Sequence, residues 1–216
     1  MQITHLGHAA VLVEIAEQRI LIDPGNFSDG WHDLTGLDAI LITHAHPDHL
    51  DPEHAAALVA ANPDAVVRGE RGALAAVELA GASVIEVGEQ HSLGDVTIAA
   101  VGGHHAIIHA DIPAIGNVGF VISAPGDATF FHPGDELDTA PAGVDVLAIP
   151  AYGPWAAMKE TIDFVREVGA AQGFLIHEGL LAERGKALIA SRVPELTSTE
   201  LMQRPVGEAW VVGQEL

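Results

Sequence analysis

At 216 residues, with 49% hydrophobic residues and a mean hydropathy of +0.28, the chain suits one domain spanning residues 1–216 with a substantial core, and a second full one would be a tight fit. A formal charge of −21, with nine basic residues scattered from Arg19 to Arg204, argues against a nucleic-acid partner, whose phosphates are met by Lys and Arg. Zero cysteines exclude disulfides, thiolate metal sites and a Cys nucleophile, and 13 histidines point instead to imidazole and carboxylate metal ligands.

The opening Met1-Gln2-Ile3-Thr4-His5 carries no basic segment before an apolar stretch, and no later apolar run nears the ~20 residues that span a bilayer. A cytoplasmic chain with no membrane partner is therefore expected. Val- and Ile-rich runs bounded by Gly, Pro, Asp or Asn predict strands at Ala10–Ile15, Arg19–Ile22 and Ala39–Ile42. A helix is then expected over Pro52–Ala61, with Asp51 as cap and Pro52 at the first helical position, where a missing N–H costs nothing. A strand at Ala65–Arg68 and a helix at Glu70–Leu79 follow. Further strands are predicted at Ser83–Val87, Val96–Val101, Val118–Ser123, Ala128–Phe131 and Val144–Ile149. The last third reads as a helix at Ala156–Val168, a strand at Gly173–Ile176, and helices at Leu180–Ser191 and Pro194–Met202. Strands lead and helices mix in later, which indicates sheets covered by helices and not a strictly alternating parallel fold. No repeat is visible at the level of residues.

Reactive side chains gather where these strands end: Asp23, His44, the pair His104 and His105, Asp135 and His177. Strands running into such loops place polar groups on one rim of a rigid sheet. The densest group is His44-Ala45-His46-Pro47-Asp48-His49. Two imidazoles two residues apart on extended backbone point to one side and can share a metal, with small Ala45 between them. Pro47 turns the chain, so Asp48 and His49 can face a second ion. Nitrogen and oxygen ligands suit Zn, and also Mn, Fe or Ni. Three His and one Asp in six residues make a plain polar loop the weaker account, and a purely structural zinc site more often includes Cys.

His-x-His-x-Asp-His after a strand resembles the signature of the metallo-β-lactamase fold superfamily. Ile20-Leu21-Ile22-Asp23-Pro24-Gly25 matches its first motif, Gly102-Gly103-His104-His105-Ala106 its third, His132-Pro133-Gly134-Asp135 its Gly-Asp motif, and Ile176-His177-Glu178-Gly179 its last His. The opening His5-Leu6-Gly7-His8-Ala9 is similar to the branch containing ascorbate-6-phosphate lactonases. The resemblance implies an α/β fold, an αββα sandwich of two mixed β-sheets flanked by helices. It also implies two divalent metal ions, zinc foremost: one held by His44, His46 and the third-motif His, the other by Asp48, His49 and His177, with Asp135 bridging. A hydroxide between the ions would be the nucleophile, and Asp48 would orient it or relay its proton. Strand alternation does not choose between His104 and His105, because Gly102 and Gly103 break the period. The family pattern puts the ligand before a small residue, which selects His105 and leaves His104 as a supporting or exposed residue.

Within the resemblance Asp23 supports the histidine loop by hydrogen bonding, the alternative being an ordinary Asp-Pro-Gly turn. His8 either reaches the cleft or is a satisfied buried histidine, and Trp155, with Tyr152, either lines the substrate cleft or packs at the start of a helix. His132, His109 and Asp111 lie beside the motifs with supporting and plain roles both open, whereas His5, His32, His54 and His91 read as structural or surface residues. The function expected is a metal-dependent hydrolase acting on a small-molecule ester, lactone or phosphoester. The alternatives are a phosphodiesterase on the same dinuclear site and a metal-binding protein without turnover. Few cations are on hand to meet a phosphorylated substrate, and the oligomeric state is left open.

Overall fold

In a computed structural model that describes residues 1–213, the chain runs through β1 (Gln2–Gly7), β2 (Ala10–Ile15), β3 (Gln18–Ile22), β4 (Ala39–Ile42), α1 (Ala55–Ala61), β5 (Val66–Gly69), α2 (Arg71–Ala76) and β6 (Ser83–Val84). It continues through β7 (Gln90–Leu93), β8 (Val96–Gly102), β9 (Val118–Ser123), β10 (Phe130–His132), β11 (Val146–Pro150), α3 (Met158–Val168), β12 (Gln172–Ile176), α4 (Glu183–Leu196), β13 (Glu200–Leu201) and β14 (Ala209–Val211). One sheet has the order β14-β1-β2-β3-β4-β5-β6 and the other β13-β12-β11-β10-β9-β8-β7.

The central strands are apolar on both faces, which is why they read as continuous runs. In β2, β3 and β4 the residues Val11, Val13, Ile20, Ile22 and Leu41 enter the core between the sheets. Their neighbours Leu12, Leu21, Ile40 and Ile42 face a second core with Leu58 and Val59 of α1 and Ala73 of α2. The other sheet repeats the scheme: Val146 and Ala148 of β11 point inward, and Leu147 and Ile149 pack on Ile162 and Val165 of α3 and Ile189 and Val193 of α4. The architecture is the αββα sandwich of two mixed sheets.

Three predicted helices change, and other elements shift at their ends: the helix expected at Leu180–Ser191 runs Glu183–Leu196, and the strands expected at Ser83–Val87 and Ala128–Phe131 span Ser83–Val84 and Phe130–His132. The helix expected at Pro194–Met202 is absent, because α4 runs on to Leu196 with Pro194 in its last turn. There a proline forfeits a single hydrogen bond, and Thr197 closes the end through its N–H and hydroxyl to the Val193 carbonyl (2.9 and 2.8 Å). The chain then extends, and Glu200 and Leu201 pair with β12. The helix expected from Pro52 begins at Ala55, after a turn in which Asp51 Oδ1 accepts from the N–H groups of Glu53 (2.7 Å) and His54 (3.3 Å). The helix expected at Glu70–Leu79 stops at Ala76, since Val77 is extended. Strands β1, β7, β13 and β14 are additions to the predicted set. No helix among the described residues is long and apolar enough to cross a membrane.

Candidate metal centre

The strands deliver their polar ends to one rim. His8 follows β1, Asp23 follows β3, Thr43 and His44 follow β4, His105 lies beyond β8, Asp135 beyond β10, Trp155 beyond β11 and His177 directly after β12. His8, Asp23 and His177 adopt left-handed backbone (φ +52°, +51° and +57°), an uncommon conformation that turns each side chain out of its strand direction. Gly25 is required for another reason: a Cβ there would lie 1.8 Å from the carbonyl oxygen of Asp48, so only glycine lets the loop after β3 close on the histidine loop.

The far nitrogen of each buried histidine decides which nitrogen faces the centre. Asp23 accepts from the Thr43 N–H (2.8 Å), the Thr43 hydroxyl (2.7 Å) and His49 Nδ1 (2.7 Å). Having spent its one proton on Asp23, the Thr43 hydroxyl can only accept from His44 Nδ1, 3.0 Å away. His105 Nδ1 donates to the Ala106 carbonyl (2.6 Å) and His177 Nδ1 to the Tyr152 carbonyl. With Nδ1 as donor in all four rings, it is Nε2 that faces the centre, and in the neutral ring it carries the lone pair.

Two donor sets result. His44, His46, His105 and Asp135 form one, and His8, Asp48, His49 and His177 the other. His44 Nε2 and His46 Nδ1 stand 3.1 Å apart, close to the ligand spacing of about 3.3 Å that zinc–nitrogen bonds of about 2.0–2.1 Å give in a tetrahedron. Asp135 lies between the sets: Oδ1 is 3.1 Å from His49 Nε2, and Oδ2 is 3.1 Å from His177 Nε2, 3.3 Å from His105 Nε2 and 3.8 Å from His44 Nε2. Despite these approaches, Nε2 of His49, His105 and His177 and Oδ1 of Asp135 are buried without a hydrogen-bond partner. Buried polar atoms are rarely left so. In the neutral rings these nitrogens carry lone pairs that converge with the Asp135 carboxylate on one place, which is what a cation requires, so the residues fit divalent metal ions.

Charge tells the same story. Burial and the neighbouring His49 push His44 well below the ordinary imidazole pKa. Burial opposes a charge on His177, yet Asp135 and Asp48 raise it to about 9, and Asp135 and Asp23 likewise lift His49 well above its usual value. The same rings hold Asp135 well below the carboxylate range, and His177 and His8 do so for Asp48, in both cases against the effect of burial. Protons on His49 and His177 thus offset two buried carboxylates where cations would.

His8 differs from its neighbours. Its Nδ1 accepts from the Gly179 N–H (3.2 Å), so Nε2 holds the proton and donates to Asp48 Oδ2 (2.9 Å). Trp155 donates from Nε1 to Asp135 Oδ2 (3.0 Å). His104 is exposed and belongs to neither donor set, whereas the adjacent His105 does. His132 is buried between the Ala9 carbonyl (3.0 Å) and the Gly134 N–H (3.2 Å) and belongs to neither donor set. His109 and Asp111 are exposed.

Two supporting residues escaped the sequence reading. One is Thr43. The other is Asn117, fully buried, which accepts from the Asp135 N–H (3.0 Å), donates to the Pro133 carbonyl (2.8 Å) and so fixes the loop that carries Asp135. Thr43 adjoins the histidine motif and was findable there, whereas Asn117 has no local signal. Above the centre lies an open cleft of ≈ 480 Å³ with walls of Phe27, Ile108, Pro154, Trp155 and Leu180 and a floor that includes Asp48, Asp135 and His177.

Residues 2–173 match the beta-lactamase superfamily domain family. The chain is 39% identical to the protein Rv0786c of Mycobacterium tuberculosis, across 95% of this chain and 97% of that one. It is 30% identical to the UPF0173 protein PF0020 of Pyrococcus furiosus, across 100% and 96%. Other UPF0173 relatives are described as metal-dependent hydrolases. Among solved structures, Igni18, a metallo hydrolase from the archaeon Ignicoccus hospitalis, has the same fold, with a TM-score of 0.71 at 18% identity over 97% of each chain.

Proposed function

The chain belongs to the beta-lactamase superfamily and, within it, to the UPF0173 family of metal-dependent hydrolases, and on that premise we propose that it cleaves a small ester or lactone at a two-cation centre. His44, His46 and His105 would hold one ion and Asp48, His49 and His177 the other, with Asp135, which lies between the two sets, available to both. The observation that carries this reading is the convergence of four buried, unpartnered ligand atoms from His49, His105, Asp135 and His177. Bound divalent cations, zinc foremost, supply an activated water and polarise the oxygen of the bond to be cleaved.

The chain's own groups do the rest. His8 Nε2–H fixes Asp48 Oδ2, and half-buried Asp48 reaches the cleft, where its carboxylate can accept a proton from the attacking water. Trp155 holds Asp135 in place and offers its ring to the substrate. The cleft residues include apolar and acidic side chains and no Lys or Arg among those described, which favours an uncharged ester or lactone over a phosphoester.

The test is metal analysis beside hydrolysis of a panel of esters, lactones and phosphodiesters with Zn, Mn, Ni and Fe. Two equivalents of metal per chain and turnover of an ester or lactone are expected. Metal binding with no turnover anywhere in the panel overturns the hydrolase reading. Full metal occupancy in Asp135→Ala overturns the spanning role.

A further inference from the structure

Not every histidine grouped with a carboxylate belongs to the metal centre. His32 and His54, read from the sequence as structural or surface residues, come together with Asp51 where the loop after β3 meets the turn before α1. One ring nitrogen of each histidine and one carboxylate oxygen of Asp51 lie within 4.8 Å of one another, as do the ligand atoms of each donor set at the centre. The group shares no residue with either of those sets.

The backbone holds all three side chains in place. Trp31 is fully buried and donates from Nε1 to the Gly25 carbonyl (3.0 Å), and the next N–H, that of His32, donates to the Asp29 carbonyl (3.1 Å). The Asp51 N–H donates to the Pro24 carbonyl (2.9 Å), and Asp51 Oδ1 accepts from the N–H groups of Glu53 and His54. Donors fixed in this way lose little freedom on taking up a ligand.

Within the group, His54 Nδ1 donates to Asp51 Oδ2 (2.7 Å), which leaves the lone pair of the neutral ring on Nε2. The His32 ring lies against that of His54, with centroids 4.4 Å apart and planes 20° apart, and its own Nε2 is buried without a hydrogen-bond partner. An aspartate–histidine pair covered by a second ring accounts for Asp51 and His54. It does not account for the His32 nitrogen, since buried polar atoms are rarely left unpaired. A cation shared by the three residues accounts for all of them.

We propose that His32, Asp51 and His54 form a separate cation site for a divalent transition metal of the zinc or nickel kind. Two imidazoles and a carboxylate suit such ions, whereas calcium and magnesium call for oxygen ligands throughout. Three protein ligands leave a fourth position for water, and an open cavity of ≈ 510 Å³ lined by all three residues gives solvent access. The His54 side chain is 51% exposed, so this ion is held more weakly than those of the buried centre and binds only in excess metal. By tying the loop after β3 to the turn before α1, it braces Asn26 and Phe27, which line both this cavity and the metal cleft.

The test dialyses wild type, His54→Ala and His32→Gln against excess zinc and counts bound metal by elemental analysis. Each variant should hold about one equivalent less zinc per chain than wild type, with an unchanged circular dichroism spectrum. Calorimetric titration with zinc should show a last, weaker event in wild type that both variants lack, and excess calcium or magnesium should leave that event in place. Equal zinc content in wild type and either variant overturns the proposal. So does a loss of clearly more than one equivalent, which would make these residues supports of the two-ion centre, or displacement of the weaker zinc by calcium. The count is a difference between variant and wild type and uses no turnover, so its failure is distinct from failure of the hydrolase reading.

Discussion

Thr43 shows how much of the centre rests on one hydroxyl. By donating to Asp23 it becomes the acceptor for His44 Nδ1, and Asp23 in turn receives His49 Nδ1, so one Asp–Thr pair sets the tautomers of two rings. Thr43→Val keeps the shape and removes the hydroxyl. Supporting partners of this kind typically account for about 10–100-fold in metal affinity, and a loss in that range is expected from competition with a chromophoric chelator. An unchanged affinity would show that the hydroxyl does not set the His44 tautomer. The adjacent histidines give a sharper contrast: His105→Ala should lose metal and His104→Ala should not, measured by elemental analysis of both purified variants. Asn117→Ala leaves the Asp135 N–H and the Pro133 carbonyl buried and unpaired, and should destabilise the fold by about 2 kcal/mol in denaturant titrations.

At the scale of elements, the site depends on loops that touch. The loop after β3 and the loop after β4 meet backbone to backbone at Gly25, where a methyl group would overlap the Asp48 carbonyl. Gly25→Ala should therefore move Asp48 and His49 together, costing more than about 3 kcal/mol of stability and lowering metal stoichiometry in the protein that still folds. A variant with unchanged melting temperature and metal content would contradict that account.

The same scale explains what could be read in advance. Strands β2, β3, β4 and β11 were legible because burial on both faces makes most of their positions Val, Ile, Leu or Ala. Strands β7, β13 and β14 are short or polar edges with no period of their own, and β1 is interrupted by His5 and Gly7. Pro194 looked like a first helical residue and is instead tolerated in the last turn of α4. The histidine motif was legible because its ligand types sit within six residues. Asn117 was not, since its partners are 16 and 18 residues away in sequence and a lone Asn before a strand fits any loop.

Across the whole molecule, the two sheets share one plan. Read from β14 to β6 and from β7 to β13, each has three antiparallel pairings followed by three parallel ones. The repeat lies in the topology and left no trace legible in the residues. Asp23 follows β3 and Asp135 follows β10, the fourth strand in each series, so the carboxylates that organise the centre enter from matching places in the two sheets.

This arrangement concentrates Asp23, Asp48 and Asp135 against histidines in a dry interior, and the consequence is a proton-linked metal site. Without cations, His177 keeps a proton up to about pH 9, and Asp48 and Asp135 stay ionised well below the usual carboxylate range. The raised His177 contributes stability that is fully present below its ordinary pKa and is lost as pH rises through about 9. The depressed carboxylates contribute stability that is present above their ordinary pKa and is lost on acidification. A cation must displace the protons on His177 and His49, so binding releases them and metal affinity climbs with pH until His177 is neutral. The rise in melting temperature on adding zinc should therefore be larger at about pH 8 than at about pH 6. Calorimetric titration in two buffers of different ionisation enthalpy should show roughly one or more protons released per chain. Binding with no proton release, or an affinity flat across that range, would mean that His49 and His177 are already neutral in the metal-free protein, and that the carboxylates between them are balanced in some other way.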